Sequence, residues 1–207
     1  MSAGTAAANA PTGVISGGIV YRAAGKPGSL VIRGSSTFHK WSITTHGLSG
    51  FATFALGKQK GSLTVMTALK SITLNIGVLS LRGSDGRGMD KTIYTNLKSK
   101  ADPTIVYKLS HAVLTPTPGR GKPDYYFKTR GTLTAAGVSK NIMLVLAVLP
   151  RPGGRLSIST HTVLTFREFG ISPPTALLGI IRADNKLKVQ ATWNLAEKST
   201  NPTAAAK

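Results

Sequence analysis

Apolar and polar residues alternate through most of this chain. Ile72, Leu74, Ile76 and Val78 are separated by Thr73, Asn75 and Gly77. Leu156, Ile158, Thr160, Thr162, Leu164 and Phe166 alternate with Ser157, Ser159, His161, Val163 and Thr165. Leu187, Val189, Ala191, Trp193 and Leu195 alternate with Lys188, Gln190, Thr192 and Asn194. A period of two is the signature of a strand with one buried face. Shorter runs of the same kind predict strands over Val14–Tyr21, Ser29–Arg33, Phe51–Leu56, Ser62–Met66, Thr104–Leu114 and Tyr125–Thr134. Turn-forming residues separate them, as at Gly25-Lys26-Pro27-Gly28, Gly47–Gly50, Thr115–Asp124 and Arg151–Arg155.

Four stretches break the alternation. Ile142–Leu149 is a run of eight apolar residues between the turn-like Gly137-Val138-Ser139-Lys140 and Pro150. It falls far short of the roughly 20 residues a membrane helix needs. Its Ile, Val and Leu content predicts a strand with two apolar faces. Leu144 and Leu146 would face inward. Met143, Val145 and Ala147 would need a cover, from a helix or a second subunit. Met89, Ile93 and Leu97 recur every four residues and predict a helix with one apolar face, Asp90 in its first turn and Lys98 and Lys100 in its last. Phe38 and Trp41 are three apart and cannot share one strand face, so a bulge or a bend lies near His39. Gly170–Asp184 is a long excursion whose apolar patch, Ala176–Ile181, reads as a hydrophobic flap.

About eight to ten strands, mostly joined by short turns, predict an all-β antiparallel sandwich or barrel with one short helix. Closure into one barrel removes sheet edges. Eight strands leave an interior that side chains fill or that holds one small ligand. The expected domain spans 14–195, with low-complexity segments at 1–13 and 196–207.

Composition narrows the partners. The chain has 207 residues, 41% of them hydrophobic, which is enough for one sizeable core. It has no cysteine, so disulfides and thiolate metal sites are excluded. Twenty-six Lys and Arg against seven Asp and Glu give a net charge of +19. That field attracts polyanions or anionic lipid surfaces. The N-terminal residues lack the basic and leucine-rich regions of a signal peptide.

Nothing in the chain spells out catalysis. His39, His46, His111 and His161 lie on separate elements without ligand spacing, so no metal is expected. The acids sit in turns and helix ends, where capping explains them. No serine stands in a Gly-x-Ser-x-Gly elbow. Gly83-Ser84-Asp85-Gly86-Arg87-Gly88 occupies the place of a phosphate loop but has neither phosphate-loop spacing nor a parallel βαβ setting. The expectation is a non-enzymatic binding protein without a cofactor, whose aliphatic inner faces suit a long apolar lipid. The alternative is a basic barrel that binds nucleic acid or another polyanion on its surface, since Arg-Gly pairs recur beside tyrosines.

Four segments, in order, resemble one branch of the YceI family. Gly34-Ser35-Ser36-Thr37-Phe38-His39-Lys40-Trp41 resembles its Ser-Thr-Leu-His-x-Trp segment. Met89–Lys98 followed by Pro103-Thr104-Ile105-Val106-Tyr107 resembles its helix and Pro-x-Ile-x-Phe strand. Gly131–Lys140 resembles its Gly-x-Leu-Thr-x-x-Gly-Val-Thr-Lys hairpin, and Phe169–Thr175 its Tyr-Gly-Ile-x-Pro-Pro-Thr. Lys40 stands where that branch often has an acid. The resemblance implies a lipocalin-like barrel that holds a polyisoprenoid (a quinone among them) or a fatty acyl chain. It also implies a periplasmic or secreted location and a homodimer. Parity then nominates the cavity wall: Trp41, Ile72, Leu74, Ile76, Ile105, Tyr107, Leu133, Leu144, Leu146, Leu164, Phe166, Val189 and Trp193. Met89, Ile93, Leu97, Leu177, Leu178 and Ile180 would close its mouth.

Overall fold

A computed structural model describes residues 18–58, 64–115, 125–176 and 180–198. The two ends of the chain and the flap residues Leu177 and Leu178 lie outside the described residues. The strands are β1 (Ile19–Ser35), β2 (Lys40–Thr45), β3 (Leu48–Lys58), β4 (Thr64–Gly77), β5 (Arg82–Gly83), β6 (Thr104–Thr115), β7 (Tyr125–Ala135), β8 (Val138–Arg151), β9 (Arg155–Thr165), β10 (Thr175–Ala176), β11 (Ile181–Arg182) and β12 (Lys186–Glu197). One helix, α1 (Arg87–Asn96), lies between β5 and β6.

Among the described residues, eight strands close an antiparallel barrel in the order β12-β9-β8-β7-β6-β4-β3-β1, with β12 pairing back onto β1. β2 continues the line of β3 along the upper half of β1, and β5 adds to its outer edge. The pairing of β12 with β1 joins the first and last strands of the ring, so neither is left as the terminal edge of an open sheet.

Three local expectations change. Gly25-Lys26-Pro27-Gly28 does not end a strand. β1 runs through it as a bulge between Ala23 and Gly28, still paired with β12 on both sides. Glycine allows this, because Gly25 and Gly28 have φ of 57° and 110°. The connection from β7 to β8 is tighter than expected: Ala135 pairs with Val138 across only Ala136 and Gly137. Both turn residues have positive φ, 52° and 77°, as a primed hairpin turn requires. Lys98 lies beyond the end of α1, with φ 53°. Phe38 and Trp41 are separated by a bend, as foreseen: Phe38 lies in the β1–β2 turn, exposed, and Trp41 points inward from β2.

The core is uneven along the barrel. At one end Tyr21, Phe54, Phe127, Val148, Leu156 and Leu195 are buried and packed together. Phe54 meets Tyr21 edge-on at 5.8 Å and Phe127 at 6.1 Å. At the other end the same inner faces enclose space.

Candidate functional site

That space is a cavity of about 610 Å³. It lies within the range of small-molecule pockets, roughly 300–1,000 Å³. Its wall comes from the period-two inner faces of the barrel. Ile72, Leu74 and Ile76 enter from β4, Ile105 and Tyr107 from β6, Leu133 from β7, and Leu144 and Leu146 from β8. Leu164 enters from β9, Val189 and Trp193 from β12, Trp41 from β2, and Phe166 from the turn after β9. Sequence parity also leaves out several wall residues, among them Ile32, Ile142, Ile158 and Leu187. Ile142, Ile158 and Leu187 share the parity of residues already nominated on β8, β9 and β12, whereas Ile32 lies on β1, from which no wall residue was nominated.

The mouth is built by α1 and the segments around it. Met89, Ile93 and Leu97 line the cavity, and Ile93 is buried. The helix is tied down by polar contacts on its other side. Tyr94 Oη donates to Leu81 O at 2.9 Å, and Arg82 donates to Leu79 O and Leu81 O and contacts Tyr94 Oη. Asp90 accepts from the Gly83 N–H at 2.7 Å. Two glycines make room. A Cβ on Gly34 would stand 2.2 Å from the Trp41 ring, and one on Gly83 would stand 2.5 Å from Met89 Sδ. Trp41 and Phe166 face each other across 6.3 Å.

Two mouth expectations need correction. Ile180 does not line the cavity; it is 64% exposed at the surface, and its neighbour Ile181 in β11 lines the wall instead. Parity failed there because β10 and β11 are two-residue strands that carry no reliable period. The helix does not cover the outer face of β8 either. It packs on β5, and Met143 and Val145 are 76% and 51% exposed.

Charge is kept off the wall. No Lys or Arg lines the cavity among the described residues, although the chain carries 26 of them. Burial pushes the Tyr107 phenol up, against the smaller opposite effect of its hydrogen bond with Thr129 Oγ1 at 3.3 Å, so Tyr107 is neutral at physiological pH. Trp193 Nε1 is buried without an acceptor among the described residues. Such a donor costs about 1–3 kcal/mol when nothing meets it.

Among the described residues, the imidazole and carboxylate groups on the lining are those of His39 and Asp85, at the rim. His39 Nε2 meets Asp85 Oδ2 at 2.7 Å, and both residues border the cavity. The His39 hydrogen bond, helped by that of Ser84, holds the Asp85 carboxyl below the usual carboxylate range. The sequence reading gave these residues to separate surface and turn roles. They are 46 positions apart, and only the closure of β1, β2 and the loop after β5 brings them together. The other histidines do not join them: His46 Nδ1 meets Gly28 O, and His111 and His161 are exposed on the outer wall.

No protein-family model matches the chain, and no curated protein does. Solved structures match its fold. A polyisoprenoid binding domain from Saccharophagus degradans, implicated in plant cell wall breakdown, aligns with TM-score 0.61 at 12% identity, over 87% of this chain and 99% of that one. Burkholderia cenocepacia BcnA aligns with TM-score 0.57 at 13% identity, over 81% and 95%. Campylobacter jejuni YceI protein aligns with TM-score 0.52 at 16% identity, over 76% and 84%. At such identities the likeness is one of fold, and the fold is that of the YceI proteins, the family that the chain's own motifs resemble.

Proposed function

We propose that this protein is a non-enzymatic carrier that holds one long apolar lipid, a polyisoprenoid or an acyl chain, inside the barrel. The observation that carries the reading is the contrast between a strongly cationic chain and a cavity wall to which no Lys or Arg contributes among the described residues. A wall of aliphatic and aromatic side chains gains about 0.8 kcal/mol for each CH₂ it takes from water. Ten methylenes offer about 8 kcal/mol, enough to offset the cost of association without a charged anchor. The fold shared with a polyisoprenoid binding domain supports the same class of ligand. An exported location, as the family resemblance implies, goes with this reading. The thirteen wall residues named from parity are the proposed contacts, and α1 the closure of the mouth.

Organic extraction of the purified protein followed by mass spectrometry tests the reading, together with titration by a fluorescent prenyl or acyl probe. The expected result is a co-purified lipid, or saturable binding of the probe. A lipid-free protein that binds neither probe overturns it.

A further inference from the structure

The wall of the barrel is forked on one side. β8 and β9 are laddered only from Ala147–Ser159 to Arg151–Arg155. Above that point β8 continues on β7, and β9 continues on β12 as far as Thr165–Lys186. Among the described residues no ladder joins the upper parts of β8 and β9. At the fork a side chain bridges them: Thr160 Oγ1 donates to Val145 O at 2.9 Å. A second cavity of about 150 Å³ lies outside the fork, against Val145, Ala147, Ser159 and His161. Thr160 lines this outer pocket and the large inner cavity alike. One threonine residue therefore borders both the lipid-sized interior and the outer pocket.

The outer rim of this seam has an unusual composition. Met143, Val145 and Val163 are exposed there. Each lies opposite a cation on the neighbouring strand: Arg130 faces Met143, Lys128 faces Val145, and Lys188 faces Val163. None of these cations makes an ion pair among the described residues. At the upper end, Glu168 is turned toward Thr165, accepting from its N–H and hydroxyl. Apolar side chains framed by unpaired cations suit the interface of an anionic bilayer, where the former enter the headgroup region and the latter meet lipid phosphates. A second copy of the chain suits it less, because like cations would be brought against one another.

Building on the lipid-holding reading, we propose that the β8–β9 seam is a side gate. The rim rests on an anionic bilayer, and the lipid chain passes between the parted strands where Thr160 now bridges them. The test uses a fluorescent prenyl probe carried in vesicles of phosphatidylcholine, with or without phosphatidylglycerol. Uptake should be faster from the anionic vesicles. Lys128→Gln with Arg130→Gln should weaken vesicle binding by about fivefold per cation, about thirtyfold together. The chain has no cysteine, so Val145→Cys with His161→Cys offers a unique pair for a reducible bis-maleimide linker. Tying the pair should slow uptake, and cutting the linker should restore it.

Uptake that ignores the tie overturns the gate, as does uptake indifferent to anionic lipid. A dimer in solution that Met143→Arg splits overturns the bilayer as the occupant of this face. The same probe offered from detergent solution separates the two readings. If it binds there while the tie has no effect on uptake, only the gate fails. If it does not bind at all, the lipid site itself fails and the gate goes with it.

Discussion

The two ends of the barrel are made from the same strands and behave differently. At the closed end Phe54, Phe127, Val148 and Leu195 are almost wholly buried and fill the interior. At the open end Leu133, Leu144 and Val189 point inward from three of those strands, β7, β8 and β12, and with Leu74 of β4 they border a space of about 610 Å³. The difference lies in what stands opposite. Two phenylalanines meet across the closed end, whereas branched aliphatic side chains facing each other across a barrel of this girth cannot meet. One end thus supplies the stability of the fold, and the other forgoes packing and keeps room for a ligand.

The sharpest way to break that division is to empty the closed end. Phe127→Ala should cost about 3–5 kcal/mol in chemical denaturation, because it opens a void in a filled core. Leu144→Ala should cost about 2 kcal/mol, the low end for such a truncation, because its side chain already borders space. Equal losses at the two positions would erase the distinction. Filling the open end works the other way. Leu144→Trp should leave the midpoint of unfolding nearly unchanged while lowering affinity for a prenyl probe by about tenfold, a change of about 1.4 kcal/mol. A bulky residue that destabilises the protein as it would a packed core would show that the cavity is not available.

The smallest effect is at the rim. Asp85 has its carboxyl lowered by His39 and Ser84 in the folded protein. Its contribution to stability is therefore complete above the ordinary carboxylate range. It is lost as the pH falls through the depressed folded value. Both side chains are about half exposed, so solvent screens the pair and the loss is local. Protection of the Ser84 amide, relative to its intrinsic exchange rate at each pH, should fall in acid, and Asp85→Asn should remove the acid-dependent step. An unchanged step would move its cause elsewhere.

Much of this architecture was legible in the sequence because a strand's period leaves only two choices for each side chain. The inner faces of β4, β6, β9 and β12 follow from alternation, β8 reads as a strand apolar on both faces, and α1 follows from its four-residue spacing. What alternation could not give is whether inward side chains touch one another. That depends on girth and on which residue stands across, as Phe54 and Phe127 show. Nor could it give the His39–Asp85 pair, whose members belong to unrelated local patterns. The Gly25–Gly28 bulge is not distinguishable from a turn by composition, because a glycine-rich kink inside a paired strand uses the same residues. The seam was hidden for a related reason: β8 and β9 are both good strands, and only their register shows that they part.

The ladder between β1 and β12 also sets the timing of folding. It joins Tyr21 to Glu197 and Arg33 to Lys188, nearly the whole chain apart. The ring cannot close until the last strand has left the ribosome, and non-local pairing of this kind is slow. Until then the greasy inner faces of at least seven strands stand open along one side. Closing the ring is thus the step of highest sequence separation in the fold, because β1 and β12 must meet across the whole barrel.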